Sequence, residues 1–286
     1  MSGARLAWTA IAAMSGAAAQ AQAPDEPFPA HRVIGNVYYI GSRDLASFLI
    51  TTNAGHILIN SGFPETVPMI EASVEQLGFH LKDVKIVLTN HAHNDHVAGT
   101  ALMKRKTGAR IMVMDADADI VRTGGRGDFA YDSVASWEPV AVDQVLHDGN
   151  TVALGGTTLI ARKTPGHTKG TTTWTLAVSD GGKTYNVVIV GGTTVNPGYK
   201  LVGNAKYPEI ATDFAAGFQT LKSLPADVYL GAHGSYYRLA AKYKLQKDGA
   251  ASNPFIDPDG YRAFMANREK AFLDELARQK AAKPMP

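Results

Sequence analysis

The chain contains 286 residues, of which 45% are hydrophobic and 19% charged, as in a globular protein with a sizeable core. Lys and Arg total 28, Asp and Glu total 26, and the net charge of +2 gives no electrostatic basis for binding nucleic acid or an anionic membrane. Nine residues are His and none is Cys, which excludes disulfides, zinc–thiolate sites and a Cys nucleophile. Any metal ion must therefore be held by His, Asp or Glu.

The first 23 residues have the layout of a signal peptide. They carry one charge, Arg5, followed by an apolar stretch over 6–14 and small residues that form two Ala-x-Ala patterns up to Ala23. The apolar stretch is too short to span a bilayer, and the alternative is a frayed N-terminal helix. We predict that residues 1–23 are cleaved and that residues 24–286 form a single domain in the periplasm.

The first half of the mature chain alternates strand and helix patterns. Apolar and β-branched runs predict strands over 33–40, 47–52, 56–60, 84–88 and 110–114. Helices are predicted over 64–78, which begins at a Pro and ends at a Gly, and over 98–106. A long connection over 124–139 then carries three aromatic residues, Phe129, Tyr131 and Trp137.

The second half repeats the order of a strand meander followed by helices. Strands are predicted over 140–146, 151–154, 157–163, 171–178, 185–190 and 227–230, and helices over 210–224, 236–246 and 261–280. Two similar halves of this kind predict an α/β fold in which two sheets pack face to face with helices on the outer faces.

The segment Asn90-His91-Ala92-His93-Asn94-Asp95-His96 is the strongest functional signal. It follows the predicted strand 84–88 and precedes a helix. His91 and His93, two residues apart, can project to the same side of an extended segment. Four potential ligands within six residues are difficult to explain as packing, so we interpret them as metal ligands.

Two further histidines lie in Gly-rich turns after predicted strands. His167 follows Thr164-Pro165-Gly166, and His233 follows Gly231-Ala232. Each is weak alone, but together with the first segment they make six groups, enough for two metal ions, and five imidazoles with one carboxylate favour zinc. The remaining histidines lack such a context, and we interpret them as ordinary surface or core residues: His31, His56, His80 and His147.

The motif H-x-H-x-D-H followed by single His residues resembles the metallo-β-lactamase superfamily. The segments 164–168, 172–175, 195–201 and 230–233 narrow the resemblance to the subclass B3 metallo-β-lactamases, and the similarity covers about 33–277. It implies an αββα sandwich of the metallo-β-lactamase type, a monomer with the active site in the groove between the two halves. It also implies antibiotic resistance by hydrolysis of penicillins, cephalosporins and carbapenems.

The resemblance also implies the roles of the six ligands. His91, His93 and His167 would hold the first zinc ion, and Asp95, His96 and His233 the second. A metal-bound hydroxide would open the β-lactam ring, with Asp95 as the catalytic residue that orients it.

One position separates this chain from other relatives. Thr193 stands near the place where glyoxalase II and ribonuclease Z types carry a metal-bridging Asp and subclass B1 enzymes carry a Cys. Two departures remain within the resemblance. Lys169 replaces a frequent Pro and is expected to point to solvent, and Asn60 with Ser61 replaces an Asp beside the metals, which predicts support by hydrogen bonds rather than by charge.

A β-lactam carries a carboxylate, so the groove needs hydrogen-bond donors opposite the metals. Thr193, Thr194 and Asn196 lie on the loop that contacts substrate in the resembling enzymes, and Tyr199 is a further candidate. The alternative is that this turn only shapes the loop. The aromatic residues of 124–139 either flank the groove or pack in the core.

Two rival functions remain open from the sequence. Another hydrolase of the same superfamily, such as a lactonase or a thioester hydrolase, would share the metal site. A non-enzymatic zinc-binding protein would need a closed site, whereas six ligands spread over two metals leave a position for water.

Overall fold

A computed structural model describes residues 26–132 and 136–282 of the chain. The predicted signal peptide over 1–23 lies outside the described residues. Within them the chain forms twelve strands and seven α-helices, arranged in two sheets.

The first sheet contains seven strands in sequence order. β1 to β4 form an antiparallel meander, and β5, β6 and β7 then add in parallel to β4. The strands are β1 His31–Ile34, β2 Val37–Tyr39, β3 Phe48–Thr52, β4 Gly55–Ile59, β5 Val84–Leu88, β6 Arg110–Met114 and β7 Gln144–Leu146.

The second sheet contains five strands in the order β12-β11-β10-β9-β8. β8 to β11 are antiparallel neighbours, and β12 lies parallel to β11. The strands are β8 Thr151–Leu154, β9 Thr157–Lys163, β10 Thr172–Asp180, β11 Lys183–Val190 and β12 Val228–Gly231.

Helices cover the outer faces of both sheets. In β5, Ile86 and Leu88 belong to the core between the sheets, whereas Val87 belongs to the core under α1, α3 and α4, as the two-residue period of a strand requires. On the second sheet, Phe214 of α5 stacks on Phe272 of α7 with ring centroids 5.2 Å apart. The helices are α1 Val67–Gln76, α2 Asn94–Val97, α3 Thr100–Thr107, α4 Asp115–Thr123, α5 Ile210–Ser223, α6 Leu239–Lys247 and α7 Pro258–Ala282. The layers confirm the predicted αββα sandwich.

Three local predictions were wrong in detail. The predicted strand over 33–40 is divided into β1 and β2, because Gly35 with φ of +47° allows a tight turn between the paired residues Ile34 and Val37. The predicted strand over 140–146 is shortened to β7. Helix α4 was not predicted from the sequence. It is short, and its three aspartates and one arginine obscure its apolar face.

Hydrogen bonds join the two sheets at one edge. The indole of Trp174 in β10 is buried and donates to Thr89 O at 3.2 Å, and Thr172 N donates to Asn90 O at 2.7 Å. The segment that begins at His91 is therefore anchored on both sheets. Among the described helices, none is long and apolar enough to cross a membrane.

Candidate metal centre

The six predicted ligands lie at one edge of the sandwich, on three loops. His91 and His93 follow β5, and Asp95 and His96 belong to α2. His167 lies in the loop that joins β9 to β10, and His233 follows the end of β12. These strand ends lie at the same edge of the second sheet. Loops at the ends of paired strands are held by the scaffold, which explains how residues 142 positions apart meet.

His91, His93 and His167 form a compact group. All three are buried, and one ligand nitrogen from each lies within 4.8 Å of the other two. The ring centroids form a nearly equilateral triangle with sides of 4.7, 4.6 and 4.7 Å. Three imidazoles in this arrangement suit one zinc ion with a fourth position open.

Asp95 connects the remaining predicted ligands. Its Oδ2 lies 3.3 Å from His96 Nε2, without hydrogen-bond geometry, and 3.8 Å from His233 Nε2. The rings of His96 and His233 are 5.0 Å apart. His91 also falls within 4.8 Å of Asp95 and His96, so the two predicted ligand sets adjoin each other at His91.

Ring nitrogens without hydrogen bonds indicate that the group suits a metal. Both ring nitrogens of His91 and both of His96 are buried, and none has a hydrogen-bond partner within the part of the chain that the structure describes. Buried polar atoms are normally satisfied, because leaving one bare costs about 1–3 kcal/mol. Metal ions would satisfy these nitrogens.

The electrostatics favour the neutral imidazoles that a metal requires. Burial, followed by the neighbouring imidazoles, lowers the pKa of His91, His93 and His96 well below the usual value. Burial also lowers the pKa of His167 to about 4, although its hydrogen bond to a carbonyl opposes the shift. The lone pairs are therefore available at neutral pH.

A comparison with models of protein families supports this interpretation of the six residues. The model of the metallo-beta-lactamase superfamily matches residues 43–233, which include all six predicted ligands. The chain belongs to the metallo-β-lactamase superfamily. It is a hydrolase of the metallo-β-lactamase fold, a fold whose members bind metal.

Solved structures of metallo-β-lactamases resemble the chain over nearly its whole length. The native FEZ-1 metallo-beta-lactamase from Legionella gormanii is 48% identical with a TM-score of 0.88, covering 90% of this chain and 98% of that one. BJP-1 of Bradyrhizobium japonicum, a subclass B3 enzyme, is 36% identical with a TM-score of 0.85, covering 91% and 97%. These neighbours confirm the predicted resemblance to subclass B3.

Curated relatives give a shorter match. The hydroxyacylglutathione hydrolase of Rhodopseudomonas palustris is 32% identical over 106 residues, which is 37% of this chain. The chain spans about a third of the length of the curated relatives it matches. This similarity shows the shared superfamily.

Contacts from outside the group leave one ring nitrogen available on three of the predicted ligands, His93, His167 and His233. His167 Nδ1 donates to Thr194 O at 2.6 Å, and His233 Nδ1 lies 3.0 Å from Asp44 Oδ2, which leaves Nε2 of both rings. The Tyr199 hydroxyl donates to His167 O at 2.9 Å and lies 3.2 Å from His93 Nε2, which leaves Nδ1 of His93. Such partners orient ligands and tune their basicity.

Asp44 was missed by the sequence reading. Although burial opposes the shift, hydrogen bonds from His233 and Ser235 lower the pKa of Asp44 to about 2, so it is an anion. It lies 189 residues from His233 in the chain. Only the fold brings the two together, and an Asp in a loop after a short strand carries no local signal of this role.

Asn60 supports the centre by hydrogen bonds, as predicted. Its amide donates to Ala46 O at 3.1 Å and to Asn90 Oδ1 at 2.9 Å, and it accepts from Asn90 N at 2.9 Å. Asn90 in turn donates to Thr172 O at 3.0 Å. This neutral amide pair joins the start of the His91 segment to both sheets.

The predicted substrate residues lie on the loop after β11. Thr193 is buried, and its hydroxyl has no hydrogen-bond partner among the described residues. Asn196 is half-buried, and its side-chain amide donates to Tyr131 OH at 3.0 Å. Thr194 serves His167 through its carbonyl, and its hydroxyl accepts from Arg268 at 2.9 Å. Tyr199 is buried behind the ligands, which favours a supporting role over direct contact with substrate.

Arg268 of α7 is a second residue that the sequence reading missed. It forms no ion pair with any described residue, and its Nε is buried without a partner. A cavity of about 380 Å³ beside it is also lined by Asn196, Gly198 and the ion pair of Arg278 with Glu275. A guanidinium that has no ion pair among the described residues and lies next to the predicted substrate loop can attract a carboxylate.

Lys169 and the aromatic residues of the long connection lie apart from the predicted ligands or beside them. Lys169 is exposed and donates to Lys206 O at 2.9 Å, in agreement with the predicted direction towards solvent. The ring of Tyr131 packs edge-on against the ring of His93, with centroids 5.2 Å apart, so Tyr131 borders the candidate metal centre. Phe129 packs on Tyr199, and Trp137 packs against the core of the first sheet.

The four histidines interpreted as ordinary residues belong to neither ligand group. His31 is buried among aromatic rings, and His56 is buried beside Phe79. His147 pairs with Asp115 at 3.1 Å on the surface, and His80 is exposed.

Proposed function

We propose that this chain is a zinc-dependent β-lactamase of the subclass B3 type, which opens the β-lactam ring of penicillins, cephalosporins and carbapenems. The convergence of five imidazoles and one carboxylate in a chain without Cys carries the proposal. Neighbours named as metallo-β-lactamases along nine-tenths of the chain support the substrate class. Such an activity would confer resistance to β-lactam antibiotics.

Two zinc ions per chain fit the donor set. His91, His93 and His167 would hold one, and the other would be held by Asp95, His96 and His233, so each keeps an open position as catalytic zinc requires. Imidazole donors favour zinc over calcium or magnesium, which prefer oxygen. When bound, the zinc ions would polarise the β-lactam carbonyl and lower the pKa of the attacking water.

Asp95 would orient the attacking water. The side chains of Asp95 and His233 are 17% and 22% exposed, whereas the other four predicted ligands are buried. The centre therefore opens towards solvent on the side of these two residues, where substrate can enter. A carboxylate at this opening accepts a hydrogen bond from the water and holds it for attack.

The loop after β11 would bind the substrate carboxylate. Thr193 and Asn196 offer a hydroxyl and an amide at the loop, and Arg268 lies behind Thr194 with a guanidinium that has no acidic partner among the described residues. Charge-assisted hydrogen bonds to a carboxylate are roughly twice as strong as neutral ones. The residues of this loop would thus orient the ring relative to the metals.

The curated relatives favour one alternative, hydrolysis of a glutathione thioester. Their match covers only about a third of either protein, and Thr193 stands near the place where glyoxalase II types carry a bridging Asp. We therefore place β-lactams first. We also propose export to the periplasm through residues 1–23 and action as a monomer.

The test is a substrate panel with the zinc-loaded protein. We expect hydrolysis of a penicillin, a cephalosporin or a carbapenem, measured by loss of ring absorbance, with two zinc ions per chain by elemental analysis. His93→Ala should abolish turnover, whereas His147→Ala, an exposed histidine paired with Asp115, should retain it. Cleavage of a glutathione thioester or a lactone without β-lactam turnover would overturn the substrate class. Turnover that survives complete removal of zinc would overturn the metal mechanism.

A further inference from the structure

The carboxylate of Asp117 lies at the meeting point of two ligand-bearing loops. Asp117 is in the first turn of α4 and is 2% exposed. Its Oδ2 accepts from Ala92 N at 2.8 Å and from Thr168 Oγ1 at 2.7 Å, and its Oδ1 accepts from Gly170 N at 2.8 Å. All three donors are within hydrogen-bond distance, so the carboxylate is held in one orientation.

The donors come from the two segments that carry the compact His group. Ala92 is the residue between His91 and His93, and Thr168 directly follows His167. An ideal Cβ at Gly170 would lie 2.6 Å from Asp117 Cγ, so the loop has room for this carboxylate only because residue 170 has no side chain. The chain is therefore built around Asp117 at this point.

We propose that Asp117 is the positioning residue that sets the separation of the His91–His93 segment from the His167 loop and thereby assembles the first zinc site. The inference rests on the proposed function for the existence of that zinc site. The peptide on which Asp117 acts is the one that links the two histidines, so a shift of this peptide moves both rings together. Zinc–nitrogen distances vary by only about 0.2 Å, so a shift of the loops relative to each other would weaken zinc binding.

A second effect of Asp117 is electrostatic. A fixed anion inside the protein stabilises nearby cations more strongly than the same anion in water. Asn60, at the position where many relatives carry Asp, supplies no charge. Asp117 would then supply, from α4, negative charge close to the zinc-binding loops.

A purely structural role makes a different prediction. A carboxylate in the first turn of a helix stabilises the helix dipole, and the loss of that effect would lower the stability of the metal-free protein without changing zinc affinity. A positioning role requires weaker zinc binding and a changed coordination geometry. These two readouts separate the roles.

The test compares Asp117→Asn with wild type in the metal-free and metal-loaded states. Zinc affinity is measured by competition with a chromophoric chelator, coordination by the visible spectrum of the cobalt-substituted protein, and stability by thermal unfolding of the metal-free form. We expect one of the two zinc ions to bind roughly 10–100-fold more weakly, with an altered cobalt spectrum. Asp227→Asn is the matched control. The Asp227 carboxylate also accepts a hydrogen bond from a backbone N–H, that of Asn186, but it lies at the start of β12, whereas His233 follows the end of that strand.

A second pair of variants keeps the test valid if Asp117→Asn fails to fold. Thr168→Val removes one donor to Asp117 while keeping the shape, and Thr168→Ser restores the hydroxyl. We expect severalfold weaker zinc binding for the first and wild-type affinity for the second. Wild-type affinity and spectrum in both Asp117→Asn and Thr168→Val would overturn this inference alone. A wild-type protein that binds no zinc would overturn the proposed function, and this inference with it.

Discussion

Replacing Tyr199 by Phe should weaken zinc binding rather than substrate binding. The hydroxyl donates to His167 O at 2.9 Å and accepts from His93 Nε2 at 3.2 Å, so one atom supports two residues of the first proposed zinc site. Burial raises the pKa of the Tyr199 phenol above its usual value, which keeps the hydroxyl protonated as a donor. The variant leaves the ring and its packing on Phe129 in place.

The magnitude of this effect follows from the two lost contacts. A typical buried hydrogen bond contributes about 0.5–1.5 kcal/mol, so the metal-free protein should lose roughly 1–3 kcal/mol of unfolding free energy. Freed from its partner, the His93 ring can rotate, and the loss of such an outer partner lowers metal affinity by about 10–100-fold. We expect the lower end of that range, because the second contact, to a backbone carbonyl, holds the loop rather than a ring.

The assay measures zinc affinity by chelator competition, and KM and kcat for one β-lactam at saturating zinc. Tyr261→Phe is a matched control, since Tyr261 is also buried and its hydroxyl also donates to a backbone carbonyl, Leu221 O at 2.6 Å, but in α5, which carries no predicted ligand. It should leave zinc affinity unchanged. A rise in KM for Tyr199→Phe with zinc affinity equal to wild type would refute the reasoning and restore Tyr199 as a substrate contact.

Three further predictions address other parts of the molecule. Asp44→Asn should weaken the second zinc about tenfold in chelator competition, because the anion beside His233 Nδ1 is lost; unchanged affinity would contradict this. Arg268→Ala should raise KM for a carboxylate-bearing β-lactam about tenfold or more with little change in kcat; equal KM values would show that the guanidinium does not attract substrate. His31→Phe should resist acid better than wild type. Burial lowers the pKa of His31 to about 4, so protons bind the unfolded chain preferentially as pH falls below about 6.5, and the wild type loses up to ~3 kcal/mol by pH 4. Urea unfolding of both proteins at pH 7 and pH 4 measures the difference, and a constant difference would refute it.

The candidate ligand cluster could be found in the sequence because its signal is local and its chemistry is unusual. Four donors within 91–96 need only a short segment to be recognised, and His167 and His233 follow from turns after strands. The αββα arrangement followed from the order of strand and helix patterns. The division of 33–40 into β1 and β2 was missed because apolar residues continue through the turn at Gly35.

The supporting residues could not be predicted because their roles depend on contacts between distant segments. Asp117 lies 51 and 53 residues from its partners Thr168 and Gly170, and Arg268 lies 74 residues from Thr194. Asp, Thr and Arg are common on the surface of any protein, so nothing local distinguishes these. The contacts of Tyr199 likewise depend on the fold: its substrate contact stays a prediction, and its hydroxyl lies beside His93 and His167, which no local pattern indicates.

The distribution of charge around the centre follows from the same contacts. Two divalent ions held by five neutral imidazoles and one carboxylate, as we propose, would leave net positive charge in the site, which nearby anions would offset. Asn60 contributes none, since it forms a neutral amide pair with Asn90. Asp44 contacts His233 of the second predicted ligand set, and Asp117 contacts the loops of the first. Each predicted zinc ion would therefore have its own outer carboxylate, reaching it from the β2–β3 connection in one case and from α4 in the other. Because the two carboxylates lie on separate elements, we predict that single substitutions would change zinc affinity at the two proposed sites independently.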